Sequence, residues 1–220
     1  MRKAPLLLLV LLASCAGPRA GRVEAPPRGD LGERLAARAA TMLGDARAFT
    51  VDGQRYAADC SGFVQAVFAS EGVPLRRLAG RAAPREPSGA AAIHRAVRTW
   101  GVTFGGGGEW PRPGDLVFWH DTYDRDRDGR SDDRFTHVGI VEYVADGGTV
   151  VFVHRGSSAV VRGAMTPARP GQAAEGDRVL NSALRRRSRA KPGVPVLAGE
   201  LFAGYGRLEA DRLPADLARP

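Results

Sequence analysis

Cysteine is nearly absent from this chain: Cys15 and Cys60 are the only two in 220 residues. That excludes a disulfide-stapled scaffold. Aromatic residues amount to 7%, too few to supply an evident platform for stacking nucleic-acid bases. The formal charge of +8 comes from 32 basic and 24 acidic residues, and the excess is spread along the chain as arginine. A charge so diffuse argues against a nucleic-acid partner. No apolar run reaches the roughly 20 residues that span a bilayer. Histidine occurs four times, so any histidine chemistry has few sources. What remains is a hydrophobic fraction of 44%, enough for one good core but not for two large domains.

The N-terminus reads MRKAPLLLLVLLASC: basic at Arg2 and Lys3, apolar from Leu6 to Leu12, then small residues up to Cys15. The apolar run is the length of a secretion signal and not of a permanent span. Leu12-Ala13-Ser14-Cys15 resembles the lipobox of bacterial lipoproteins, which implies residues 1–14 as signal peptide and acylation of Cys15. The expected location is then the cell envelope, exported and lipid-anchored, on an outer membrane facing the periplasm if the cell is Gram-negative. Ala16 is not the aspartate associated with inner-membrane retention. Residues 15–29, rich in Pro, Gly and charge, read as a flexible tether, and residues 30–220 as one catalytic domain. Lipidation of Cys15 would leave Cys60 without a partner, and an unpaired thiol in an exported protein calls for a chemical reason.

Helical periodicity comes first along the chain. Asp30 can cap a helix from Leu31 to Leu43, a second should start at Cys60 and end at Gly72, and a third should run from Gly89 to Trp100. Strand-like runs follow at 116–119, 138–144 and 150–154, with Val160-Val161 extending a hairpin and 201–208 closing the sheet. Helices first and strands afterwards point to an α+β domain, with N-terminal helices packed on an antiparallel sheet. The Pro, Gly and Arg-rich stretch 166–199 carries no clear element. Its cluster of Arg185, Arg186, Arg187, Arg189 and Lys191 reads as a solvated loop sooner than as a contact for anionic wall polymers.

Cys60 opens a helix, where unpaired N–H groups and the helix dipole should draw its thiol towards thiolate. Asp59 is placed to cap that helix, and its first-turn amides could help hold an oxyanion. A nucleophilic thiol needs a base. His137 begins one strand and His154 ends the next, so a hairpin turning at Asp146-Gly147-Gly148 would make the two neighbours. His154 could then fix the tautomer of His137. His94 and His120 are expected at the surface.

Four blocks carry a resemblance: DCSGFVQAVF at 59–68, PGDLVFW at 113–119, HVGIV at 137–141 and VHRGSS at 153–158. Taken in this order they resemble the NlpC family of papain-like cell-wall peptidases. The resemblance implies a papain-like fold, a Cys60, His137, His154 triad, and hydrolysis of peptide bonds in peptidoglycan stems, commonly that from D-γ-glutamate to a diamino acid. It also makes Asp59 and Ser61 candidate substrate contacts. Family members often carry a tyrosine about a dozen residues before the cysteine; here that stretch is Ala46-Arg47-Ala48-Phe49, and Tyr56 is the nearest tyrosine. The same triad would serve an N-acetylmuramoyl-L-alanine amidase or an acyltransferase. A non-catalytic wall-binding lipoprotein would have no need of the thiol and its base. The expected partners are stem peptides and, through the lipid, a membrane; a monomer is expected.

Before His137 the chain inserts DTYDRDRDGRSDDRF at 121–135. Asp124, Asp126 and Asp128 alternate and Gly129 follows, as in the first half of an EF-hand-type calcium loop. Arg130 and Asp132 fall at the seventh and ninth places, which makes Asp124, Asp126, Asp128, Arg130 and Asp132 the candidate metal positions. Phe135 stands where the bidentate glutamate would be. The alternative is a surface turn in which arginines balance the aspartates. No cofactor is expected for catalysis; calcium, if held, would be structural.

Overall fold

Helix α1 spans Leu31–Thr41, and Asp30 caps it by accepting a hydrogen bond from Gly32 N, an arrangement worth about 1 kcal/mol. The computed structural model to which this helix belongs describes residues 29–85, 89–105, 107–185 and 193–217. The signal peptide, Cys15, the tether up to residue 28, and Arg186, Arg187, Arg189 and Lys191 lie outside the described residues. Among the described residues no helix is long and apolar enough to cross a membrane.

After α1 come a short hairpin, β1 (Phe49–Val51) and β2 (Gln54–Tyr56), then helices α2 (Cys60–Ser70), α3 (Leu75–Ala82) and α4 (Gly89–Trp100). The strands β3 (Gly101–Phe104), β4 (Leu116–Trp119), β5 (His137–Ala145), β6 (Thr149–Arg155) and β7 (Val160–Met165) follow. A small hairpin, β8 (Ala174–Glu175) with β9 (Arg178–Val179), precedes the last strand, β10 (Phe202–Leu208). Six strands form one antiparallel sheet in the order β3-β10-β4-β5-β6-β7. The chain is thus an α+β domain, as its order of helices and strands implies, and it is consistent with the papain-like fold that the resemblance implies.

Both faces of the sheet are covered. On one side Leu116, Phe118, Val138, Ile140 and Val153 pack with the α1, α2 and α4 residues Leu35, Phe63, Val67, Ile93 and Val97. On the other, Val117, Trp119, Val141, Phe152 and Met165 pack with Ala198, Leu201 and Tyr205. The stretch 166–199, unassigned from sequence, supplies part of this second cover, and Trp119 Nε1 donates to Ala198 O at 3.0 Å. Coverage on two sides explains why β4 is buried at every position and reads as an uninterrupted apolar run.

Besides the β8–β9 hairpin in the unassigned stretch, the β1–β2 hairpin, α3 and β3 escaped the sequence reading. The β1–β2 hairpin turns at Asp52-Gly53, both at positive φ (47° and 75°), and an Asp-Gly pair between short alternating runs is the signal for it. Helix α3 begins after Pro74 without a side-chain cap, so no start signal marked it. Strand β3 follows α4 with no intervening turn.

Candidate active site

Helix α2 delivers Cys60. Asp59 Oδ1 accepts from Gly62 N at 2.7 Å and from Ser61 Oγ at 2.8 Å, fixing the first turn. Gly62 is required by close approach: a Cβ there would sit 2.1 Å from Ala57 O. The chain entering the helix therefore passes directly over it and turns Cys60 into the cleft. Ser61 is 7% exposed, bonded to Asp59, and absent from the cleft lining. Its hydroxyl steadies the cap. Asp59 is exposed and lines the cleft.

His137 and His154 come together as the hairpin reading required. His137 Nε2 lies 2.8 Å from His154 Nδ1, with the rings edge to face at 5.0 Å and 82°. Strand register explains the meeting. His137 pairs with Trp119 across β4–β5, and β6 runs back beside β5 after the turn at 146–148. His137 Nε2 is occupied by His154, so Nδ1 is the nitrogen left for proton exchange with a thiol. The backbone amides of Val138, next to His137, and of Ser61 and Cys60 itself act on the Cys60 thiol in the direction that favours thiolate. Cys60, His137 and His154 line one cleft of about 1120 Å³ together with Asp59, Thr122, Tyr123, Arg155 and Arg185.

The electrostatics run against one expectation. Burial pushes the Cys60 thiol up to about 12, the charge of Asp59 adds to this, and the three amides only partly oppose it. The helix terminus does not win, because the half-buried thiol lines a cleft and does not stand on an open surface. Burial also pulls His137 well below its ordinary value, with His154 contributing, and pulls His154 to about 4. The resting pair is therefore a neutral thiol beside a neutral imidazole. For a raised thiol, the thiolate fraction grows with pH until pH reaches its pKa. Alkylation of Cys60 by iodoacetamide is accordingly expected to accelerate about tenfold per unit from pH 7 through pH 10; a rate that levels off near neutrality would reveal a preformed thiolate.

Two histidines expected at the surface are half-buried, and this is a further correction. His94 stacks on Phe135 at 3.7 Å between ring centres, and Phe135 N donates to His120 Nδ1 at 2.9 Å. Burial lowers His94 to about 4. Together they pin the end of the 121–135 insert immediately before His137, a partnership across distant elements that helix periodicity could not reveal. Tyr56 is buried in the core and does not replace the missing tyrosine. The sequence reading missed Tyr123, which lines the cleft.

Within the insert Asp124, Asp126 and Asp128 each offer a carboxylate oxygen, all within 4.8 Å of one another. Asp132 lies outside that group, with Arg130 Nε at 3.2 Å. Arg130 turns its side chain to Asp132 and, at 3.9 Å, to Asp128. Of the five candidate positions, three bring carboxylate oxygens together, while Asp132 pairs with the Arg130 guanidinium.

Helices on an antiparallel sheet, with a cysteine and two histidines lining one cleft, are consistent with a papain-like fold. Residues 50–156, just under half of the chain, match the family model described as the CHAP domain. The matched span takes in almost all of the four blocks that resemble NlpC. Both likenesses are consistent with a papain-like cell-wall peptidase family, and the CHAP match suggests hydrolase or amidase action on peptidoglycan. No curated protein and no solved structure matches the chain.

Proposed function

We propose that this protein is a cysteine endopeptidase of peptidoglycan stem peptides, with D-γ-glutamyl-diamino acid as the scissile link. The observation that carries the reading is the 2.8 Å contact of His137 Nε2 with His154 Nδ1, beside the cysteine that opens α2, inside the segment that matches the family model.

The proton order follows from the geometry. With His154 neutral, its Nδ1 accepts from the His137 Nε2–H, which leaves the His137 Nδ1 lone pair free. As the Cys60 sulfur attacks the substrate carbonyl carbon, its proton passes to His137 Nδ1. The tetrahedral intermediate then expels the amine, which leaves with that proton, and a thioester remains. Water attacks the thioester and gives a proton to Nδ1; the acid departs and the thiol is restored. Because thiol and imidazole rest neutral, transfer accompanies attack and does not precede it. The amides of Ser61 and Cys60 at the start of α2 are suited to hold the developing oxyanion.

The test is the chemistry of the fragments released from purified peptidoglycan. Cleavage within the stem yields peptides whose new N-terminus is the diamino acid, identified by mass spectrometry, and Cys60→Ala releases none. Intact stems with a free N-terminal L-alanine would instead establish the amidase reaction. Release by Cys60→Ala would overturn both.

A further inference from the structure

The insert between β4 and β5 contains a feature that the thiol chemistry does not use. Asp124, Asp126 and Asp128 converge, each with one oxygen occupied by the loop's own backbone. Gly129 N donates to Asp124 Oδ2 at 2.9 Å, Asp128 N to Asp126 Oδ1 at 3.2 Å, and Arg130 N to Asp128 Oδ1 at 2.8 Å. Such bonds are common in charged turns and identify no ligand. An independent observation does: the other oxygen of Asp124, Oδ1, is enclosed and has no hydrogen-bond partner. An enclosed carboxylate oxygen left unpaired is costly, and the loop's arginines do not relieve it. Arg125 pairs with Asp133 and Arg130 with Asp132 and Asp128, so among the described residues neither Asp124 nor Asp126 has an ion-pair partner.

We propose that Asp124, Asp126 and Asp128 bind one calcium ion, with Asp124 Oδ1 as a direct ligand. The donor set is all oxygen, which suits a hard divalent cation, and calcium–oxygen distances near 2.4 Å place opposing ligands about 4.8 Å apart, the separation within which these oxygens lie. Phe135 occupies the place of a bidentate glutamate and is locked between His94 and His120, so the shell is completed by water and the affinity is that of extracellular modules, about 10⁻⁴–10⁻³ M.

Asp124 lines the catalytic cleft directly after Thr122 and Tyr123. An ion held there fixes that wall of the cleft beside Cys60. This second clause rests on the proposed peptidase reading; the ion site itself does not.

Isothermal titration of the chelator-treated full chain with calcium chloride is expected to show one site. Asp126→Asn with Asp128→Asn, both exposed positions, should weaken it at least tenfold with an unchanged fold by circular dichroism. No binding heat at about 10 mM calcium, or undiminished affinity in the double variant, would overturn the site. Hydrogen exchange reads the coupling: amides at 122–124 should exchange at least tenfold more slowly with calcium, and equal rates would overturn it. Binding without fragment release from peptidoglycan would sink the peptidase reading alone; fragment release without binding would sink the ion site alone.

Discussion

Cys60→Ala and His137→Ala should each lower the rate of fragment release from peptidoglycan roughly ten-thousand-fold or more, and the double variant should lose no more than either single one. The two groups act as one unit, since attack by sulfur and uptake of its proton by His137 Nδ1 are a single event when both rest neutral. Removing either partner leaves the other without a task, so their free-energy effects cannot add. His154→Ala should be less severe, because His154 touches neither the thiol nor the substrate; it holds His137 through the 2.8 Å contact. The pH profile separates the roles. Burial pulls both histidines down, so the base stays unprotonated into the acid range and the acid limb of kcat/KM should lie below pH 6.5. Freed of its neighbour in His154→Ala, His137 loses one of the causes that depress it, and that limb should move upward. Initial rates against pH for the three single variants and the double variant are the measurement.

The sequence made the α2 start, the His137–His154 meeting and the strand set legible because each rests on local pattern: a capping acid before an apolar stripe, or two β-branched runs flanking Gly147-Gly148. The thiol's protonation was not legible. Local pattern sees a helix N-terminus, whereas burial in a cleft is set by every element packed round it, and here burial is the larger effect. The second cover of the sheet was hidden for a related reason. The described residues of 166–199 pack by loop contacts such as Ser182 N to Ala164 O and Ala198 N to Ser182 O, and these leave no periodic trace. Tyr123 shows the same limit. It sits in a charged insert where sequence points to ions, yet the turns that close the insert, with Thr122 N on Thr136 Oγ1 at 2.9 Å, carry it to the cleft. The meaning of Asp115 in the PGDLVFW block was likewise out of reach, because its partner lies near the far end of the chain.

That partner sets the second large effect. Arg207 on β10 grips Asp115 with two parallel bonds of 2.7 Å, from Nε to Oδ1 and from Nη2 to Oδ2, while its Nη1 reaches Glu109 at 2.8 Å. Asp115 is 2% exposed and also accepts from Arg112 N. The turn it anchors is tight: Gly114 has φ 86°, and a Cβ there would lie 2.3 Å from Gly32 O, so α1 rests directly on this turn. Arg207→Met should destabilise the protein by about 3–5 kcal/mol, since a carboxylate left buried without its cation costs far more than the pair contributes. Asp115→Asn in the Arg207→Met background should recover part of the loss by removing that stranded charge. The pH dependence has a definite sign. Burial already raises the Asp115 carboxyl and the arginine bonds oppose it; without Arg207 the carboxyl rises further and takes up a proton on acidification. The deficit of Arg207→Met against the parent should therefore shrink from pH 7 to pH 5 in denaturant unfolding. A deficit that stays constant or grows would mean that the guanidinium acts only by packing over Phe104. The consequence reaches the cleft, because β4 carries Asp115 into register with β5 and so sets Trp119 opposite His137. Loosening the grip of Arg207 on that turn should lower catalytic rate as well as stability, even though Arg207 lies outside the cleft lining.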